Sequence, residues 1–86
     1  MNKICCITTK GCYSCNIMKK ILKSVSNSHN ITLEVHDCKD IPDSLKSITF
    51  DDFPTTVIIK DNEIASYFSG TVNVNRMKKI LEELNL

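Results

Sequence analysis

Residues 4–25, ICCITTKGCYSCNIMKKILKSV, hold the decision about this chain. Ile4 to Thr8 is a short apolar, β-branched run that stops at Lys10-Gly11, which reads as a buried strand and a turn. Behind the turn, Cys15, Met18, Ile21, Leu22 and Val25 recur at three- and four-residue spacing, the stripe of a helix with one buried face. Cys12 and Cys15 fall on the junction. Taken alone, a Cys-x-x-Cys pair fits a redox centre, half of a zinc site, or two cysteines that merely pack.

Working outward, the helix should fade over Ser26 to Asn30, and residues 31–36 alternate apolar and polar, predicting a strand with Ile31, Leu33 and Val35 facing the core. Residues 40–48 carry a capping Asp40 and a first-turn Pro42, which predicts a short helix. Thr55 to Ile59 is a near-continuous apolar strand suited to a central place in a sheet. Asp61-Asn62 then turns the chain into a fourth strand, Glu63 to Phe68, as an antiparallel hairpin. Gly70 ends it, and Asn73 caps a last helix with Val74, Met77, Leu81 and Leu84 on one face and Ile80 widening it. The expected fold class is α/β in the order β-α-β-α-β-β-α, a mixed four-stranded sheet flanked by three helices, with residues 1–86 as one domain.

Composition narrows the function. The net charge is +1, the lysines are interleaved with acids, and only five aromatics are present, so there is no footprint for nucleic acid. The N-terminal apolar run is too short for a signal-peptide core or a membrane span, which points to a cytoplasmic protein with no membrane role. In a reducing compartment, five cysteines argue for free, catalytic or metal-bound thiols over a structural disulfide framework.

Position sharpens the reading of the pair. At a helix N-terminus, unpaired N–H groups and the helix dipole stabilise a thiolate on Cys12 and draw its pKa below the roughly 8.5 of a free cysteine. Cys12 is then the nucleophile, and Cys15, one turn inside, the cysteine that resolves a mixed disulfide. A zinc site needs further ligands, for which Cys5, Cys6, Cys38, His29 and His36 are the candidates. Cys5 and Cys6 point to opposite faces of a strand, so at most one could join the pair, and no metal ligands are assigned. Both read as small core residues, or one as half of a regulatory disulfide. Cys38 reads as an incidental thiol at a polar turn, or a site of oxidative modification. His29 and His36 receive no catalytic role, and Lys10, Asp51 and Asp52 read as solvated charges.

Cys12-Tyr13-Ser14-Cys15 behind a first strand, Phe53-Pro54-Thr55 entering a later one, and Phe68-Ser69-Gly70 before the last helix together resemble the thioredoxin superfamily, as a small thioredoxin- or glutaredoxin-like protein. The resemblance implies a thioredoxin-like fold and thiol-disulfide oxidoreductase activity on protein or small-molecule disulfides. It implies no bound cofactor, a monomer, and electrons from a thioredoxin reductase-like enzyme or a low-molecular-weight thiol. It also implies a cis peptide bond at Pro54. Because only about 5–6% of X-Pro bonds in folded proteins are cis, the resemblance alone carries that expectation. By the same analogy, the main chain at Phe53 and Thr55 beside Pro54 would bind an extended substrate. Tyr13 reads as a substrate-facing group that covers the disulfide, or as an exposed side chain of the loop. The chain departs from the family in places. Gly11 stands where thioredoxins carry tryptophan, Tyr13-Ser14 fills the gap between the cysteines, and the C-terminal part lacks the Gly-Gly with which glutaredoxins hold glutathione. Cys6 stands where thioredoxins bury an aspartate that aids proton transfer. The alternative reading is a thioredoxin-like scaffold that binds metal or an iron-sulfur cluster through its cysteines, and a third is an interaction domain that keeps only the fold.

Overall fold

The computed structural model describes residues 1–86 as β1 (Lys3–Thr8), α1 (Tyr13–His29), β2 (Thr32–Asp37), β3 (Thr55–Lys60), β4 (Glu63–Ser69) and α2 (Val74–Glu83). The strands form one sheet in the order β2-β1-β3-β4, so the two most apolar strands, β1 and β3, are the inner ones. β1 pairs parallel with β2 across the α1 crossover and antiparallel with β3, and β3 pairs antiparallel with β4. Asp61 and Asn62 close the β3–β4 hairpin, both with positive φ (53° and 68°), the requirement of the tight turn whose twist matches the flanking strands.

Each face of the sheet carries its own core. On one, Ile4 and Cys6 of β1 and Ile58 of β3 pack under Met18, Leu22 and Val25 of α1 and Met77 and Leu81 of α2, all eight fully buried. The stripe expected of each helix is therefore the stripe it buries. On the other face, Cys5, Ile7, Val57 and Ile59 are covered by Leu45, with Ile41, Ile48, Phe50 and Phe53 packed around them. Cys5 and Cys6 go to different cores, as alternation along a strand requires.

Two expectations need correction. The sheet is flanked by two helices, not three: residues 40–48 form only a single 3-10 turn, Asp43–Leu45. Pro42, expected inside the first turn, is its N-cap and makes no side-chain capping bond. A segment this short, with Ser44 and Ser47 inside it, has too few backbone bonds to repay helix nucleation, and its large side chains reach the sheet without a helical period. Val35, expected in the core, is 46% exposed. It lies on edge strand β2, while the helices centre their buried stripes on β1 and β3; Ile31 and Leu33 do pack against that core. No helix is long and apolar enough to cross a membrane.

Candidate active site

β1 ends at Thr8, and Gly11, at φ 73°, turns the chain into α1; no side chain would crowd a Cβ there, so it is the left-handed backbone that calls for glycine. Cys12 follows as the N-cap of α1, with extended backbone angles. Its sulfur accepts the Cys15 backbone N–H at 3.1 Å and lies 3.4 Å from Ser14 Oγ. A cap of this kind supplies one of the acceptors that the first turn of a helix lacks. No acidic residue occupies that first turn to oppose a negative charge on the sulfur.

Cys12 and Cys15 are joined in a disulfide, their Cα atoms 5.2 Å apart. Their surroundings differ. Cys12 is half-buried, whereas Cys15 is buried on the inner side of α1. An open cleft of about 340 Å³ runs past both, lined by Thr8, Thr9, Tyr13, Asn16 and Lys19 among others. Of the residues that the sequence put forward, the cleft brings together Cys12, Cys15 and Tyr13, and Tyr13 stands 78% exposed at its rim. Lys19, which the sequence reading does not single out, also lines the cleft; it follows Cys15 by one helical turn, a spacing that puts two residues on one face. Lys10 is exposed and does not line the cleft.

Phe53, Pro54 and Thr55 do not line it either. The register sets Thr55 opposite Ile7, so these residues enter β3 at the end of the sheet where β1 hands over to the Cys12 turn. The Phe53–Pro54 bond is cis, as the resemblance implied. Pro54 and Thr55 are buried and Phe53 is half-buried. The Pro54 carbonyl accepts from Gly70 N–H at 2.8 Å, and Thr55 Oγ1 donates to the Asp52 carbonyl at 2.6 Å. This corner is thus braced from within by β4 and the preceding bend.

Away from the cleft, burial pushes the Cys6 thiol up to about 11, so it carries a proton at neutral pH and is no substitute for a buried carboxylate. Cys5 is likewise pushed up to about 11 by burial, with the Glu34 charge adding to the effect and Lys3 opposing it. Cys38 is half-buried, and its S–H donates to Thr9 Oγ1 at 3.6 Å at the edge of the cleft residues.

Similarity to solved structures is extensive over the fold and slight in sequence. A thioredoxin-2 from a malaria parasite, described as a component of its protein secretion machinery, superposes with a TM-score of 0.81 at 13% identity, over 96% of this chain and 82% of that one. The chain has the thioredoxin-like fold. Chloroplastic thioredoxin z aligns with a TM-score of 0.78 at 18% identity, over 99% of this chain and 79% of its own. A chain from a structure concerned with thiol resolution in yeast mitochondrial 1-Cys peroxiredoxin via glutathione/thioredoxin systems gives 0.77 at 18%, over 95% and 77%. The sequence matches no family model and none of the curated proteins. On this thioredoxin-like frame, the cysteine pair occupies the junction of the first strand and the first helix.

Proposed function

We propose that the protein is a thiol-disulfide oxidoreductase that reduces disulfides through Cys12 and Cys15. One observation carries the reading: the two bonded sulfurs are unequal, Cys12 being reachable at the helix N-cap and Cys15 buried one turn inside. In the reduced protein, the Cys12 thiolate attacks one sulfur of the substrate disulfide, and the other leaves as a thiolate. The Cys15 N–H and the helix N-terminus favour the negative charge on the attacking sulfur. Cys15 then loses its proton and attacks Cys12 Sγ, which expels the second substrate thiolate and leaves the Cys12–Cys15 disulfide. The substrate has gained two electrons, and the protein has lost them.

Regeneration needs two electrons, from a thioredoxin reductase-like enzyme or from two equivalents of a low-molecular-weight thiol that leave as their own disulfide; no bound cofactor enters the cycle. In this reading Tyr13, exposed at the rim of the cleft, faces the substrate, and the main chain at Phe53 and Thr55, on either side of Pro54, binds an extended segment of it. The working unit in this reading is one chain folded as one domain, in a reducing cytoplasm, acting on protein or small-molecule disulfides.

Purified protein should reduce insulin disulfides in the presence of a dithiol donor. Cys12→Ser should lose the activity by roughly 10³-fold or more, the scale on which removal of a nucleophile acts. Cys15→Ser should accumulate a mixed disulfide, visible as a mass adduct on Cys12. Full turnover by Cys12→Ser overturns the reading. Parallel assays with thioredoxin reductase and with glutathione identify the donor.

A further inference from the structure

On the face of the sheet away from α1 and α2, the parallel register of β1 and β2 sets Cys5 opposite Glu34, and Ile7 opposite His36. Glu34 and His36, two apart on β2, point to the same side as Cys5. Glu34 Oε1 is the meeting point: the Cys5 thiol donates to it at 3.9 Å and His36 Nε2 at 3.0 Å. The other carboxylate oxygen, Oε2, is held by Lys3 Nζ at 3.3 Å. One sulfur, one carboxylate oxygen and one imidazole nitrogen thereby lie within 4.8 Å of one another. Cys5 is 1% exposed, whereas the Glu34 and His36 side chains keep 35% and 24% of their surface, so the cluster has a closed floor and an open mouth.

We propose that Cys5, Glu34 and His36 form a binding site for a borderline transition-metal ion, with Zn²⁺ as its occupant. Thiolate, imidazole and carboxylate are the three ligand types zinc takes, and three protein ligands leave the fourth tetrahedral position to water or an added ligand. Bonds of about 2.0–2.3 Å place tetrahedral ligand atoms roughly 3.3–3.8 Å apart. Against that spacing the Glu34–His36 pair, now 3.0 Å apart, opens by a few tenths of an ångström and the Cys5–Glu34 pair, at 3.9 Å, closes slightly, movements within the freedom of the half-exposed Glu34 and His36. Lys3 stays on Oε2, which leaves Oε1 as the ligand atom. On binding, the Cys5 thiol gives its proton to solvent, the His36 proton moves from Nε2 to Nδ1 by exchange with solvent so that the Nε2–H···Oε1 bond gives way to Zn–N and Zn–O bonds, and the Zn–S bond forms, with no change of oxidation state. The ion fastens edge strand β2 to its only sheet partner, β1.

The test uses the whole protein with Cys12–Cys15 oxidised, so that neither of those sulfurs can ligate. Zn²⁺ titrated against a chromophoric chelator should bind at one equivalent, and Co²⁺ in its place should show a thiolate-to-metal charge-transfer band. Glu34→Gln, His36→Gln and Cys5→Ala should each weaken Zn²⁺ binding by more than the roughly 10–100-fold that loss of an outer-shell partner costs. Cys5→Ala should also erase the charge-transfer band, while Cys38→Ser should change nothing. Insulin reduction by His36→Gln should match wild type, which separates this site from the Cys12–Cys15 chemistry. Should Cys5→Ala fail to fold, the two variants of half-exposed residues still decide the matter. Absence of stoichiometric binding to the oxidised wild type, or binding that survives both Glu34→Gln and His36→Gln, overturns the proposal. So does a charge-transfer band that disappears in Cys38→Ser.

Discussion

On β1, Cys5 and Cys6 are neighbours in sequence, yet they point into different cores on the two faces of the sheet. At the start of α1, Cys12 and Cys15 are three apart and bonded. The strand alternates its side chains and so separates adjacent residues; the helix brings residues three and four apart onto one side. Burial holds the strand thiols protonated, outweighing the nearby charges of Lys3 at Cys5 and Lys19 at Cys6. The helix start offers the opposite, a backbone N–H aimed at sulfur and the positive end of a dipole. One side-chain type thus serves as core in one place and as reactive centre in the other, and the backbone makes the difference.

The contrast is open to direct attack. In reduced, folded protein, iodoacetamide should modify Cys12 at least ~10²-fold faster than Cys5 or Cys6, since a thiol about two pKa units above a free cysteine has about a hundredth of its thiolate, before burial slows it further. Peptide mapping of samples quenched over time measures this, and comparable labelling of Cys6 in the folded state would break the comparison. A smaller effect sharpens it. Cys6→Ala should cost about 1 kcal/mol of stability in denaturant titration, on the scale of one buried methyl removed, and leave insulin reduction within about twofold. A large loss of turnover at unchanged stability would instead draw Cys6 into proton transfer.

The smallest effect concerns the residue opposite Cys6. Thr56, fully buried in β3, has a hydroxyl with no hydrogen-bond partner. Replacing it by valine removes a desolvated polar group at nearly constant shape, so Thr56→Val should be neutral or stabilising by up to about 1 kcal/mol. A loss of stability would mean that the hydroxyl is satisfied, and that this side of β1 is less apolar than the Cys6 thiol implies.

Much of the fold was legible because its signals are local. The α1 stripe, the Asn73 cap, with its Oδ1 accepting Arg76 N–H at 2.8 Å, and the Asp61-Asn62 hairpin turn each lie within a few residues of chain. The third helix was misread for the same reason. Asp40 and Pro42 give a helix-start signal, but the large side chains after them are placed by the sheet they cover, and only one turn of 3-10 helix forms. Val35 failed likewise: alternation assigns a residue to a face, while the helices above decide whether that face is covered. At the candidate site, the cysteine pair and Tyr13 were readable, whereas Thr8, Thr9 and Lys19 join the cleft only once β1 and α1 are set against each other.

The sequence by itself determined the alternation of strands and helices and the setting of Cys12 at a helix start, because backbone periodicity and capping act over one or two turns. The helical stripe also put Cys15 on the buried side; only the tertiary structure decided that Thr8, Thr9 and Lys19 line the cleft beside the pair, and that Glu34 and His36, 29 and 31 positions further along the chain, gather beside Cys5. Strand register makes such meetings. It is fixed by what the whole sheet buries, and no short stretch of sequence contains it.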